Sequence, residues 1–350
     1  MFLFLQINVV ANTLSFNGQF WSLGYQDNQI SNSYNLQLGY IPKMSFSYVI
    51  NNQSIIDFEY DYYILKNHNN YDDNKITTNK YRSWVRFSNN NLDIRIGLQK
   101  IAFGTALFLR SLAWFDSLDF TVTTEQTYGV EGLRFRYYPS NSLAIWFWII
   151  ENNISNPSYG SRLEMSNLIG DWGFTYYQDA DSTKHSPYQF IESNQQIIRE
   201  NNRLGIDYRY DGNFGFWIEG CYYIVKKHED VYFNKFSFLT LGFDYTIPTS
   251  KGILLSTETM FSHMPLNHNA SDLLISLHND KNVHTIFHLS CPIDMINNLT
   301  FYSLRDWDRS ITDNFVRWST TYDSFNIDYM LTLKSGGFND VFQIMFVYNH

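Results

Sequence analysis

The chain has 350 residues and a formal net charge of -9, with 18% aromatic and 17% charged residues. This aromatic content excludes a disordered or collagen-like chain, and a count of two cysteines excludes a disulfide scaffold. The acidic balance, without a long run of Lys or Arg, argues against nucleic acid as a partner. No stretch reaches the ~18 consecutive apolar residues of a transmembrane helix. A transmembrane β-barrel alternates polar and apolar residues, so its average hydropathy is close to that of a soluble protein and agrees with the mean hydropathy of -0.30.

The N-terminal segment, residues 1–11, reads MFLFLQINVVA. A short apolar run that ends in small residues is typical of the end of a secretory signal peptide. The basic start of such a peptide is missing, because the first Lys or Arg is Lys43. We predict a signal-peptide remnant over 1–11, the alternative being a first β-strand, and a single domain over 12–350.

Strict alternation of apolar and polar residues recurs along the whole chain. The clearest examples are residues 56–62, 92–99, 132–137, 204–210 and 325–333. A period of two residues indicates strands with one apolar and one polar face. Patterns with the period of a helix are nearly absent, so the sequence predicts one all-β unit.

The connections between these strands alternate between short and long. The short ones are rich in turn-forming residues: 51–53, 89–91, 139–141, 169–171, 211–213, 248–251 and 323–324. The long ones are polar: 67–79, 102–126, 180–201, 227–234 and 264–282. Short turns at one end and long loops at the other are typical of an outer-membrane barrel, and counting between them predicts about eighteen antiparallel strands, with 16–18 as the range. A soluble β-propeller or sandwich is the alternative, but it does not explain this asymmetry.

One region resembles a known family. Residues 81–87 (YRSWVRF), 95–104 (RIGLQKIAFG), 114–119 (WFDSLD) and 129–138 (GVEGLRFRYY) are similar to a segment of porin-like outer-membrane barrels of Gram-negative bacteria. The resemblance covers about residues 80–150. It implies an up-and-down transmembrane β-barrel that serves as an outer-membrane channel for small hydrophilic solutes. It implies no enzyme and no cofactor, and it leaves a homotrimer open beside a monomer, with membrane lipid and lipopolysaccharide as surroundings.

Alternation also predicts which side chains face the bore. One inner wall is predicted to carry acidic and basic residues on neighbouring strands: Asp57, Glu59, Asp61, Arg82, Arg86, Arg95, Arg134 and Arg136. Charged rings of this kind select solutes in pores. The alternative is that acids and arginines only pair across strands and stabilise the barrel. The excess of arginine favours anionic solutes.

The long connection 102–126 is unusually apolar for a loop, because most of residues 103–115 are large and hydrophobic. Folding back into the bore would bury these side chains and narrow the channel. The sequence therefore predicts a constriction loop whose charged and aromatic residues are Arg110, Trp114, Asp116 and Asp119. Burial against a neighbouring subunit is the alternative.

Few residues indicate catalysis. His284, His288 and Ser290 share one strand face, but residues two apart on a strand are about 7 Å apart, too far for a nucleophile and its base. No compact set of ligands predicts a metal site, and no phosphate loop or dinucleotide fingerprint is present. Beside the channel, two functions stay open: a structural or adhesion barrel with a plugged lumen and, remotely, an outer-membrane hydrolase.

Overall fold

The computed structural model describes residues 13–27, 33–51, 53–68, 76–116, 127, 129–151, 156–180, 200–226, 235–265, 281–335 and 340–350. These residues form eighteen antiparallel strands. The strands are β1 Thr13–Asp27, β2 Ser33–Asn51, β3 Ser54–His68, β4 Ile76–Ser88, β5 Leu92–Gln99, β6 Val130–Ser140, β7 Leu143–Ile150, β8 Ser158–Asn167, β9 Gly170–Asp179, β10 Asn201–Asp211, β11 Gly215–Val225, β12 Lys235–Ile247, β13 Ile253–His263, β14 Lys281–Pro292, β15 Asn297–Asp306, β16 Ile311–Thr321, β17 Phe325–Lys334 and β18 Val341–Asn349.

Each strand pairs with its neighbour in sequence, and β1 also pairs with β18, which closes the sheet into a barrel. Gln19 opposite Asn349 and Asp27 opposite Val341 mark the two ends of the closing ladder. Closure removes every exposed sheet edge, which a strand in lipid could not leave unpaired. The predicted up-and-down barrel and its strand count are confirmed. Residues 1–11 lie outside the described residues, so the signal-peptide remnant over them stays a prediction.

The connections show the expected asymmetry. At one end, the strands are joined across 52–53, 89–91, 141–142, 168–169, 212–214, 248–252, 293–296 and 322–324. At the other end, the longest connections are 100–129, 180–200 and 264–280. Pro42 of β2 lies in register opposite Gly18 of β1. The ladder to β3 leaves Pro42 unpaired, since proline has no amide hydrogen.

The two faces of the wall have opposite chemistry. Outward side chains are mainly large and apolar, as in Phe147, Leu204 and Ile344, and they are more than one third exposed. A continuous apolar outer face is the surface that a lipid bilayer covers. Inward side chains form two buried clusters, the larger spanning strands from β6 to β15 and the smaller lying on β1 to β4, β17 and β18. The part of the chain that the structure describes contains no helix long and apolar enough to cross a membrane.

Candidate functional site

A row of charged side chains crosses the inner wall from β3 to β6. Asp57 lies opposite Arg86, Arg86 opposite Arg95, and Arg95 opposite Arg134. Residues directly opposite in an antiparallel pair point to the same face, so the four side chains share the inner face. We call Arg86, Arg95 and Arg134 the arginine row.

Two of these arginines are paired with carboxylates. The Arg86 guanidinium donates to Asp57 Oδ2 from Nε at 2.8 Å and from Nη2 at 2.5 Å. Asp93 lies between Arg86 and Arg134, with N to O distances of 3.7 Å and 3.4 Å. Arg95 differs from both, because it forms no ion pair with any residue that the structure describes.

Aromatic rings support the unpaired guanidinium. Arg95 Cζ lies 4.1 Å from the centroid of the Trp84 ring, and Arg136 Cζ lies 3.7 Å from that of Trp146. Arg136 also lies 3.5 Å from Glu164. A ring face stabilises a cation without neutralising it. The row therefore keeps a positive charge at Arg95 on the inner wall.

The remaining predicted wall residues have other partners. Glu59 accepts hydrogen bonds from Lys43 and from Trp84 Nε1. Arg82 is buried and donates to the carbonyl oxygens of Tyr81 and Thr127, at 2.6 and 2.7 Å. Asp61 lies opposite Arg82 and is also buried, but the two form no ion pair. Among the three predicted acids, Asp57 pairs with Arg86 and Glu59 with Lys43, so both the selective wall and the alternative of cross-strand pairs stay predictions.

The apolar segment 101–116, which contains the described part of the predicted loop 102–126, is anchored by two glutamates. Glu219 on β11 accepts hydrogen bonds from the backbone amides of residues 105, 106 and 112, at 2.8, 2.9 and 2.6 Å. Glu258 on β13 accepts from the amides of residues 107, 108 and 109, at 2.5, 2.9 and 2.6 Å, and from Trp217 Nε1 at 3.0 Å. Both glutamates are 0% exposed. A buried carboxylate is stable only with such compensation, so these two side chains fix the course of the segment.

Between the two glutamates, Thr240 on β12 adds a third anchor. Its hydroxyl donates to the carbonyl of Leu109 at 2.6 Å and lies 2.9 Å from Ser111 Oγ. Gly104 has a φ of +99°, and a Cβ there would lie 2.4 Å from Glu219 Oε2. Only glycine fits both the backbone angle and the close approach of the carboxylate.

Aromatic side chains of the segment fill part of the interior. Phe103 packs on Trp114 and Trp148, and Phe115 packs on Tyr177, with ring centroids 4.9 to 5.7 Å apart. Phe108 reaches the other side, 5.2 Å from the ring of His288 and 5.6 Å from that of Tyr302. The segment therefore contacts inward side chains on strands from β7 to β15.

The predicted loop residues take different places. Trp114 is fully buried, and Arg110 pairs with Asp116 at 2.5 Å within the segment itself. Asp119 lies outside the described residues. The sequence analysis did not predict that Arg110 and Asp116 pair with each other, and their role in a constriction stays a prediction.

Sequence reasoning missed the anchors. Glu219 and Glu258 each stand alone on an otherwise uncharged inner face of their strand. This isolation in the sequence could have indicated the anchors, because a buried carboxylate among largely apolar neighbours needs a hydrogen-bond partner from another part of the chain. Buried ion pairs were missed as well: Arg162 with Asp207, at 2.6 and 2.9 Å, and Arg203 with Asp179.

The histidine strand holds one further pair. His288 Nδ1 lies 2.9 Å from Ser256 Oγ on the neighbouring strand, whereas Ser290 bonds to Asn298. No carboxylate in the described residues hydrogen-bonds to His288, so the pair lacks the orienting acid of a hydrolase triad. Across the described ranges, no group of three or more His, Cys, Asp or Glu side chains converges to hold a metal ion.

Comparisons with known proteins agree with this architecture. No protein-family model and no curated protein matches the chain. Among solved structures, Pseudomonas aeruginosa OccK5 (OpdH) is similar with a TM-score of 0.64 at 7% identity over 97% of both chains. The P. aeruginosa outer membrane protein OpdK is similar with a TM-score of 0.59 at 8% identity, over 97% of this chain and 99% of its own. Salmonella typhi OmpF in complex with daunomycin is similar with a TM-score of 0.53 at 10% identity, over 97% of this chain and 98% of its own. The chain has the fold of porin-like outer-membrane barrels, as the resemblance implies.

Proposed function

We propose that this protein is an outer-membrane channel for the passive diffusion of small hydrophilic solutes, with a preference for anions. The observation that carries the proposal is the arginine row, whose central member Arg95 has no carboxylate partner in the described part of the chain. A guanidinium on a low-dielectric wall attracts anions more strongly than it would in bulk water. The barrel fold shared with outer-membrane proteins supports the location.

In this proposal the segment 101–116 narrows the bore on the side opposite the arginine row. It is held on β11 to β13 by Glu219, Glu258 and Thr240. Solutes would pass between the segment and the wall formed by β3 to β6. A diffusion channel does not change its solute chemically, so the protein is proposed as a channel and not an enzyme.

Single-channel recording of the purified protein in a planar bilayer tests the proposal. We expect stable conductance steps and, in a salt gradient, a reversal potential on the anion side. A folded barrel migrates differently on a detergent gel when the sample is not heated. A protein that shows this difference but gives no conductance steps would contradict the proposal.

A plugged structural or adhesion barrel is the second candidate. The observation that favours it is the buried aromatic cluster around Trp114, Trp148 and Tyr177, which closes part of the interior. The same recording separates the two, because a plugged barrel gives no conductance.

Orientation in the membrane is tested by epitope tags. Tags at Asn70 and Asp272, in long connections, are expected to be accessible on intact cells, and one at Gly212, in a short turn, is not. The reverse pattern would contradict the proposed topology.

A further inference from the structure

Several polar side chains lie together on the outer wall, within its apolar surface. Strand register places them on the adjacent strands β13 to β16, on the outward face that also carries the exposed rings of Phe261 and Phe287. We call this group the outer polar patch, and its members are Thr257, Thr259, Thr285, Ser303, Arg305, Thr312 and Asn314. A wall that faces lipid is expected to be apolar, so the patch requires a different partner.

The apolar surface is also shorter at the patch than on other strands. On β7 and β17 every outward side chain is apolar or aromatic. On β15 and β16 only two outward side chains of each strand are apolar or aromatic, and these are Leu299, Phe301, Val316 and Trp318. Two outward positions correspond to about 13 Å of strand, against an apolar band of about 25 Å in transmembrane barrels. Association with another protein surface is one way in which such a mismatch is accommodated.

The part of the patch nearer the long connections forms hydrogen bonds within the chain. Thr259 Oγ1 lies 3.1 Å from Thr285 Oγ1, which also accepts a hydrogen bond from Trp307 Nε1 at 2.9 Å. Arg305 Nη1 donates to Thr312 Oγ1 at 2.7 Å. These hydroxyl groups therefore have partners that do not depend on a molecule outside the chain.

The part of the patch farther from the long connections is different. Ser303 of β15 lies directly opposite Asn314 of β16. Neither side chain has a hydrogen-bond partner in the part of the chain that the structure describes. An unpaired carboxamide against hydrocarbon is unfavourable, because an acyl chain offers neither donor nor acceptor. The two side chains therefore require hydrogen-bonding groups that lipid tails do not have.

The chemistry of the patch favours a second copy of this chain as its partner. Ser, Thr and Asn side chains each donate and accept hydrogen bonds, so a patch of such residues is complementary to itself. Two copies related by a twofold axis bring the same residues of both faces together. Arg305 is the sole charged member, and its guanidinium already donates within the chain, so charge does not select a different protein. Hydrogen bonds between polar side chains are an established means of association inside a bilayer.

We propose that the outer polar patch is the contact surface of a twofold dimer of this protein. In this dimer the side chains of Ser303 and Asn314 in one copy form hydrogen bonds with the same two residues of the other copy. The inference requires only that β13 to β16 lie in a membrane. It does not depend on conduction, because these side chains point away from the bore.

Cysteine cross-linking in native outer membranes tests the contact. In a Cys221→Ala/Cys291→Ala background, Asn314→Cys and Ser303→Cys are each expected to form a disulfide-linked dimer when an oxidant is added, because a twofold axis places equal residues of the two copies close together. The control is Ile96→Cys, an exposed outward position on β5 at the opposite side of the barrel, and it is expected to stay monomeric. Failure of both patch variants to cross-link, or equal cross-linking of the control, would overturn the proposal.

Sedimentation of the purified protein in detergent tests the hydrogen bonds. Ser303→Leu/Asn314→Leu is expected to weaken association of the dimer about tenfold or more. Ser161→Leu, which replaces an outward serine on β8, is the matched control and is expected to associate like the wild type. If the double variant does not fold, Ser303→Leu alone is compared with Ser161→Leu, and a smaller loss is expected.

The opposite results are equally clear. Unchanged association of the patch variants, or a wild type that sediments as a monomer at every concentration, would contradict the dimer. Single-channel conductance per barrel is expected to be the same in the wild type and the patch variants. A monomeric wild type with normal conductance would therefore end this proposal and leave the channel function intact.

Discussion

Two charged regions of the same inner wall behave in opposite ways. On β3 to β6 the arginine row carries one guanidinium, Arg95, that pairs with no described carboxylate. On β11 to β13, Glu219 and Glu258 are fully buried, and they accept hydrogen bonds from the segment 101–116 and from Trp217. The first region keeps one cation without a carboxylate partner in the described chain, whereas the second uses two carboxylates to hold a segment of the protein.

The difference follows from how each charge is compensated. Arg95 lies against the face of the Trp84 ring, which stabilises a cation without neutralising it. An ion covered by protein must be compensated by directed donors, and six backbone amides supply them here. Inward position alone therefore does not identify a selectivity residue.

The largest effect is expected from removing the segment. Replacing residues 105–116 by a Gly-Ser bridge should raise single-channel conductance severalfold and admit larger solutes, because it clears the interior next to β11 to β13. Planar-bilayer recording and a liposome-swelling assay measure both. Loss of an oligomer with unaltered conductance would instead show that the segment is an interface element.

The next effect tests the anchor itself. Glu258→Ala leaves three backbone amides without their acceptor, which costs about 3 kcal/mol or more in the anchored state. A cysteine introduced at Leu109, which is 0% exposed, should then react with a thiol reagent about 100-fold faster. Glu131→Ala, an exposed outward carboxylate, is the control and should change nothing. Equal labelling rates in all three proteins would contradict the anchor.

A smaller effect is expected at the opposite wall. Converting Arg95, Arg134 and Arg136 to Glu should move the reversal potential in a salt gradient toward cations. Each changed charge alters the energy of a nearby ion by roughly 1 kcal/mol or more, about fivefold in permeability. Arg309→Glu, in an exposed turn, is the control. An unchanged potential in the triple variant would make these arginines structural.

The smallest effect concerns a carboxylate in water. Asp294, in a short turn, accepts hydrogen bonds from the Asn297 side chain and from the amides of Ile296 and Asn297, at 2.8 to 2.9 Å, and these lower its pKa. Its stabilisation is therefore present above the pKa of the unfolded chain and is lost as pH falls through the pKa of the folded state. Asp294→Asn should lower Tm slightly at pH 7 and not in strong acid. A Tm difference that persists in acid would exclude ionisation as the cause.

The sequence predicted the barrel because its signals are local. A two-residue period shows which side chains share a face, and the turn residues show where each strand ends. The same logic placed Arg86, Arg95 and Arg134 on one inner wall. It could not show that Arg82 bonds to Thr127 or that Arg110 pairs with Asp116, because both contacts depend on the path of a long connection.

The sequence by itself therefore determined the strands, their faces and their closure into a barrel with one long-loop end. Only the tertiary structure decided which inward charges are covered by another part of the chain. Glu219 is more than 100 residues from Leu112 in sequence, and their hydrogen bond of 2.6 Å forms only when the segment 101–116 crosses the interior. Burial of a charge depends on what packs over it, and no local pattern encodes that.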